Sequence, residues 1–167
     1  MLPYTFLSLQ TDLQAFLLEV ERVNASYFLA FRVQMVTGCR FSELRNIARF
    51  SVVDSSHFSL IPEKGNNVRY FDNSIVPAEF LTYINNQDNY FDMLRLSTAS
   101  NYFRYCFRRI RVFHGDKQLT THLFRHHFCK YLKHDGFTDA QIKTALGERD
   151  QKNADNYIYS DLYYTAR

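Results

Sequence analysis

Apolar residues recur at three- and four-residue spacing through the first part of the chain, which is the period of an amphipathic helix. The pattern predicts helical structure over residues 8–36, with apolar positions at Leu13, Phe16, Leu17 and Val20. Within it, a second apolar run over residues 27–36 ends at Thr37-Gly38, where glycine favours a break. A further short helix is expected to begin at Ser42, because serine is a preferred N-cap residue.

The pattern then changes to the alternation of a strand. Residues 57–61 alternate in polarity and end at Pro62, and the EKGNN run at residues 63–67 is typical of a turn. Residues 68–71 and 74–77 also favour strands. We therefore expect one small three-stranded antiparallel sheet inside a helical protein.

The remaining chain is again helical in pattern. Helices are predicted over residues 78–84, about 98–113, and from Thr120 or Thr121 to about 135 before Gly136. Thr138 and Gln141 form a capping box for one more helix, and Gly147 closes it. The polar residues 148–156 then lead into a tyrosine-rich tail. The fold class predicted is mainly α with a small three-stranded antiparallel sheet (α+β), as a single domain over residues 1–167.

Composition adds little that is specific. Hydrophobic residues make up 46% and charged residues 22%, and neither a membrane-length apolar run nor a secretory signal is evident. The cysteines Cys39, Cys106 and Cys129 are odd in number and widely spaced, which favours reduced thiols in a cytosolic protein. The net charge of +3 permits nucleic-acid binding. Arginines cluster at positions 40, 45 and 49 and at 104, 108, 109 and 111, a pattern also typical of solvated helix faces.

An arginine precedes the short helix in the segment TGCRFSEL at residues 37–44. Arg40 can present a planar fork of donors to a phosphate, and Glu43 is spaced to hold it from behind. Taken alone, this segment is better explained by a surface arginine beside a capping serine.

A histidine and an arginine share one helical face further on. His122 and Arg125 are three residues apart, next to an apolar stripe of Phe124, Phe128, Tyr131 and Leu132 that would anchor their helix. An exposed pair on an anchored helix suits an anion site. His126 and His127 raise the possibility of zinc, but no cysteine or carboxylate at ligand spacing completes such a site.

Three further features are common when considered singly. Lys64 lies in the turn of the predicted hairpin, where charged residues are frequent. Residues 146–148 (LGE) end a predicted helix, and residues 156–159 (NYIY) bring tyrosines into the tail, where packing roles are usual.

Taken together in their order along the chain, the five segments resemble the tyrosine recombinases, the family of phage integrases and their Cre-like and Xer-like relatives. Residues 37–44 resemble the family's first-arginine box, and Lys64 with Arg69 and the strand ending at residues 75–77 resembles its lysine hairpin. Residues 122–128 resemble its His-x-x-Arg box, and residues 135–147 fit the run that follows. The resemblance spans nearly the whole chain and implies the fold of that family's catalytic domain.

The resemblance also implies a reaction, which is site-specific DNA recombination or integration through a covalent 3′-phosphotyrosine. Arg40 and Arg125 would clamp the scissile phosphate, Lys64 would be the general acid for the leaving 5′ oxygen, and His122 would assist proton movement. Such chemistry needs no metal, ATP or other cofactor, because the phosphotyrosine keeps the bond energy. The implied partners are double-stranded DNA and other recombinase subunits assembled on it, and the implied location is cytoplasmic and DNA-associated.

Two positions leave alternatives open. Family spacing favours Tyr157 as the nucleophile, Tyr159 is the alternative, and Tyr163 and Tyr164 are more distant candidates. Glu148 occupies a position that usually holds His or Trp in the family. A carboxylate beside a phosphate is unfavourable unless a cation such as Arg149 neutralises it, so either Glu148 turns away or the protein is slow or degenerate.

Other functions compete with strand transfer. One is a catalytically degenerate DNA-binding member of the same fold, and another is an unrelated helical interaction domain. A type IB topoisomerase shares the chemistry, but the length and the Arg-x-Ser-Glu-Leu box favour a recombinase. We expect the family's N-terminal core-binding domain to be absent and the free protein to be monomeric, without a membrane association.

Overall fold

The computed structural model describes residues 2–3, 6–64, 67–110, 112–113, 120–159 and 163–165. The helices are α1 (Phe6–Val23), α2 (Ala25–Thr37), α3 (Phe41–Leu44), α4 (Ala78–Asn85), α5 (Leu96–Tyr102), α6 (Arg108–Ile110), α7 (His122–His134), α8 (Asp139–Leu146) and α9 (Gln151–Tyr159). The strands are β1 (Leu2–Pro3), β2 (Phe50–Val52), β3 (His57–Leu60), β4 (Arg69–Asp72), β5 (Val112–Phe113) and β6 (Tyr163–Thr165). The predicted fold class is therefore confirmed.

The second N-terminal helix, α2, begins at an asparagine cap and ends at a glycine cap. Asn24 separates α1 from α2, and its Oδ1 accepts the backbone N–H groups of Ser26 at 3.0 Å and Tyr27 at 3.2 Å. The α2 helix ends at Gly38, whose φ of 65° is the left-handed conformation that glycine adopts most readily. The break predicted at Thr37-Gly38 is thus confirmed.

The short helix α3 begins earlier than the sequence suggested. Arg40 takes the N-cap position, and its backbone N–H donates to Glu43 Oε1 at 2.7 Å. Ser42, predicted as the N-cap, lies inside the helix, and its hydroxyl donates to Glu63 instead. The buried Glu43 carboxylate provides the stronger acceptor for a free backbone donor, and this sets the start of the helix.

A central antiparallel sheet has the order β2-β3-β4. Strand β2 was not predicted from the sequence. The prediction of a strand at residues 74–77 is wrong. Residues 73–75 form a 3-10 turn, because Asp72 Oδ1 accepts the Ser74 backbone N–H at 2.8 Å and curls the chain. Phe50 lies fully buried opposite Leu60 and joins the sheet in place of that segment.

The second half of the chain differs from prediction in two places. The helix expected over residues 98–113 is interrupted by a π-helical turn, Phe103–Phe107, and gives way to β5. The polar stretch after residue 148 was expected to be a lead into the tail, but most of it forms α9, with Asp150 Oδ1 accepting the Lys152 backbone N–H at 2.9 Å. A second sheet of order β1-β6-β5, also not predicted, pairs the two end segments.

The helix α7 lies at the centre of the packing, in contact with α1, α2, α8 and α9. On its inner side, Phe124 lies 5.6 Å from Phe31 and 5.6 Å from Phe103 between ring centroids, within one hydrophobic cluster. Each fully buried ring of this kind contributes about 1.5–3 kcal/mol. The core thus fixes α7 rigidly, and with it the polar residues on its other faces.

No helix in the described ranges is both long enough and apolar enough to cross a bilayer.

Candidate active site

Two arginines far apart in the chain meet at a single carboxylate oxygen. Arg40 Nη2 donates to Glu148 Oε1 at 2.9 Å, and Arg125 Nη2 lies 3.3 Å from the same oxygen. Glu148 is only 7% exposed, so the three charges interact with little screening by solvent. The two guanidinium groups therefore converge on a position that one anionic oxygen can occupy.

Arg40 is held by the buried carboxylate of Glu43, as expected from the sequence. Glu43 is 1% exposed and accepts the backbone N–H of Arg40, while its Oε2 lies 3.8 Å from Arg40 Nη1. That same Oε2 accepts the Glu63 backbone N–H at 2.8 Å. Glu43 therefore fixes the start of α3, the Nη1 end of the Arg40 guanidinium group and the hairpin that carries Lys64.

Arg125 is part of the interior. It is 1% exposed, and its Nη1 donates to the carbonyl oxygen of Gly38 at 2.7 Å. A side chain at Gly38 would lie 2.7 Å from ring atoms of Phe128, so the close approach of α2 to α7 requires glycine there. Arg125 Nε has no hydrogen-bond partner among the described residues. Position and orientation of this guanidinium group are thus set by the fold and not by solvent.

Tyr157 covers this arginine from the side of α9. Arg125 Cζ lies 5.0 Å from the centroid of the Tyr157 ring, and the Tyr157 hydroxyl lies 3.5 Å from Nδ1 of His122. Burial against the cleft wall, and then the charges of Arg125 and Arg40, lower the pKa of His122. The lowered pKa keeps the imidazole neutral near pH 7, so its Nδ1 can accept a hydrogen bond from the phenol, and it also makes His122 a weaker base.

Tyr159 points elsewhere. Its hydroxyl donates to Asp139 Oδ2 at 2.6 Å, its ring lies 5.5 Å from Lys133 Nζ, and it is 55% exposed. Residues two apart on a helix project about 200° from each other, so the two tyrosines of α9 cannot face the same cleft. The structure brings Tyr157, and not Tyr159, to the two arginines.

The site residues predicted from the sequence line two clefts on the protein surface. A cleft of about 740 Å³ is lined by Arg40, Lys64, His122, Glu148 and Tyr157 together with Glu63, His126, Arg149, Asp150, Asn153 and Asn156. A smaller cleft of about 360 Å³ is bordered by Arg40, Lys64, His122, Arg125 and Tyr157. Lys64 is exposed, at the edge of the β3–β4 turn, and Gly65 and Asn66 of the predicted motif lie outside the described residues.

Glu148 faces inward in the free protein, so the alternative in which its side chain turns away from Arg40 and Arg125 does not hold here. Gly147 ends α8 with φ of 77°, and the Glu148 backbone N–H donates to the Lys143 carbonyl oxygen at 3.1 Å. This tight turn directs the carboxylate towards Arg40 and Arg125, whose positive charges neutralise it.

Arg69 is a structural arginine that the sequence placed only within the hairpin. It is 3% exposed, and it donates to the carbonyl oxygens of Ala145 and Thr37. Burial, and then the charge of Arg125, lower its pKa to about 10. Strand alternation puts residue 69 on the same inward face as Phe71, a signal that could have revealed it.

Burial shifts the pKa values of two further titratable groups near the site, Cys39 and His126. Burial raises the pKa of Cys39 to about 12, so its thiol is not ionised near neutral pH. Burial lowers the pKa of His126 to about 4. In the part of the chain that the structure describes, no group of three or more His, Cys, Asp or Glu side chains is placed to hold a metal ion.

Comparison with known proteins shows a likeness of structure only. The sequence matches no family model and no curated protein. Among solved structures, the chain is similar to a XerH site-specific recombinase bound to a palindromic difH substrate in a post-cleavage complex, with a TM-score of 0.59 and 16% identity. The match covers 90% of this chain and 48% of that one, so the chain spans about half its length. The mainly helical fold with its small antiparallel sheet is thus similar to that of a site-specific recombinase.

Proposed function

We propose that this chain is the catalytic domain of a site-specific DNA recombinase that cuts and rejoins strands through a 3′-phosphotyrosine. One observation carries the proposal, which is the convergence of Arg40 and Arg125 on a single oxygen beside the Tyr157 ring. Two fork-shaped donors match the equatorial oxygens of a phosphoryl group, where negative charge develops during transfer. The similarity of fold to a DNA-bound recombinase supports the same assignment.

In the proposed reaction, the Tyr157 oxygen attacks the scissile phosphorus and its proton passes to His122. The bond from phosphorus to the 5′ oxygen breaks, and that oxygen takes a proton from Lys64 as it leaves. The products are a 3′-phosphotyrosyl bond and a free 5′ hydroxyl, and attack by a 5′ hydroxyl reverses the step. Each proton-transfer group would contribute about 10²–10⁴-fold to the rate.

Double-stranded DNA is the proposed partner, with further subunits assembling on it. Phosphate contacts would dominate affinity, so binding should weaken steeply with rising salt concentration. Arg104 lies within the π-helical turn and Arg109 follows it, and both side chains are exposed and available to contribute such contacts.

The test is trapping of a covalent adduct on nicked duplexes. A pool of duplex oligonucleotides with a randomised central segment and a nick that lets the cleaved fragment leave is incubated with the protein. Adducts are then detected on denaturing gels and their DNA is sequenced. We expect adducts with the wild type and Tyr159→Phe, and none with Tyr157→Phe. Tyr159→Phe is the matched control, since it makes the same substitution two residues away on the same helix.

Two outcomes would contradict the proposal. Adducts from Tyr157→Phe would exclude the proposed nucleophile. Salt-sensitive DNA binding without any adduct would identify the chain as a DNA-binding protein of this fold that lacks strand transfer.

A further inference from the structure

An internal anion occupies the place where the proposed reaction needs a phosphate. Glu148 Oε1 lies 2.9 Å from Arg40 Nη2, a distance typical of a charge-assisted hydrogen bond to an anionic oxygen, and at a longer 3.3 Å from Arg125 Nη2. The carboxylate is nearly inaccessible, and the Gly147 turn fixes its backbone. The space between Arg40 and Arg125, here called the arginine clamp, is therefore already filled by the Glu148 carboxylate in the free protein.

The charges of the clamp are balanced without DNA. Arg40 and Arg125 supply two positive charges, and Glu148 and Glu43 supply two negative charges at 2.9–3.8 Å. A phosphodiester entering between the arginines would lie within a few ångströms of the Glu148 carboxylate. Like charges at such a distance repel strongly where solvent is excluded, so both anions cannot be held there together.

We infer that Glu148 is a phosphate competitor that holds the two guanidinium groups in register in the free protein and must swing out before a phosphodiester binds. This inference rests on the proposed function and deepens it, since it makes Glu148 the residue that sets the threshold for engaging DNA. The Glu148 carboxylate acts through the arginines and takes no part in bond making, so it is a positioning residue.

The path of this movement is open. The larger cleft borders Glu148 directly, along with the residues that follow it, Arg149 and Asp150. Rotation of the side chain into this cleft would expose the carboxylate to water and leave its place between the arginines free. The backbone turn at Gly147 need not change, because only the Glu148 side chain must move.

The test measures affinity for inorganic phosphate, with Glu148→Gln as the variant. Glutamine keeps the shape and an acceptor oxygen for the arginines but removes the charge. We expect phosphate to bind Glu148→Gln at least about tenfold more tightly than the wild type, by calorimetry at constant ionic strength. Glu63→Gln is the control, because Glu63 lines the same cleft and carries the same charge but contacts Ser42 and not the arginines.

Equal affinity of Glu148→Gln and wild type would overturn the inference. Equal gains in Glu148→Gln and Glu63→Gln would also overturn it, since they would reflect the charge of the cleft in general. If Glu148→Gln is unstable in buffer without phosphate, urea midpoints are measured at increasing phosphate concentration. A midpoint that rises more steeply than in the wild type supports tighter binding, and an equal slope refutes it.

Phosphate binding needs no DNA cleavage, so the two proposals can fail separately. A wild-type adduct without a gain in Glu148→Gln would leave the recombinase assignment standing and remove the competitor. A gain in phosphate affinity without an adduct from any variant would do the reverse.

Discussion

Replacing Gly38 by alanine tests how the turn after α2 places Arg125. Gly38 has φ of 65°, and a Cβ atom there would lie 2.7 Å from Cδ1 and Cγ of Phe128. The left-handed backbone costs an alanine about 1–2 kcal/mol, and forcing apart a packed ring adds about 1–3 kcal/mol. We therefore expect Gly38→Ala to lower the free energy of unfolding by about 2–5 kcal/mol.

Gly136 provides a control with the same kind of backbone and no crowding. Its φ is 95°, and a Cβ atom there would meet nothing within 4 Å. Gly136→Ala should therefore lose only the backbone contribution of about 1–2 kcal/mol. Urea denaturation of the three proteins, followed by circular dichroism, measures the difference between the variants. Equal destabilisation by the two substitutions would refute the argument that the contact with Phe128 restricts position 38.

The same pair separates stability from function. The Gly38 carbonyl oxygen accepts Nη1 of Arg125, so displacement of this turn moves the guanidinium group. An error of about 1 Å in a catalytic group can lower a rate by about 10²-fold. At a temperature where both variants are folded, Gly38→Ala should form the DNA adduct much more slowly than Gly136→Ala. Equal rates would show that the turn does not position Arg125 for catalysis.

Three further predictions concern stability. In the described part of the protein neither ring nitrogen of the buried His127 is hydrogen-bonded, and burial lowers its pKa to about 4. The unfolded chain therefore binds this proton more tightly, and stability falls as the pH drops from 6.5 towards 4. His127→Leu should remove about 2 kcal/mol of that loss at pH 5 in urea titrations, and an unchanged pH profile would refute this. Arg69→Met should destabilise by about 3 kcal/mol in the same assay, because it leaves two buried carbonyl oxygens unpaired, and a loss below 1 kcal/mol would contradict that role. Thr138→Ala should cost about 1 kcal/mol through loss of the bond from Gln141 N to Thr138 Oγ1 at 3.2 Å, whereas Thr144→Ala on the same helix should cost less.

Local signals in the sequence were sufficient for most helices and for the sheet as a class. Glycines at 38 and 147 mark helix ends because both adopt left-handed backbone there, and the Thr138–Gln141 capping box forms as predicted. The strand assignment failed at residues 74–77, where apolar residues suggested pairing. The Asp72 side chain captures the backbone N–H that pairing would have used, and such a competition is not visible in the apolar pattern.

Family spacing favoured Tyr157 over Tyr159, but the geometry that separates the two side chains comes from a helix that the sequence did not reveal. Because residues 151–159 are largely polar, they were not recognised as a helix. Ala154 and Ile158 are its buried residues, four apart, and this spacing was the available signal. Once α9 is helical, its geometry separates Tyr157 from Tyr159. The ion pairs of Glu148 could not be predicted, because they depend on how α8 packs against α3 and α7.

The wide sequence separation of the arginine pair and its partners has a consequence for when the site can assemble during synthesis. Arg40 and Glu148 lie 108 positions apart, and Arg125 reaches back 87 positions to Gly38. Contacts between such distant segments carry a larger loop-closure entropy cost than local contacts. A chain still emerging from the ribosome holds these groups apart and has no clamp until α8 and α9 have been synthesised. The grouping of Arg40, Arg125 and Glu148 is therefore a property of the nearly complete chain and not of its N-terminal segments.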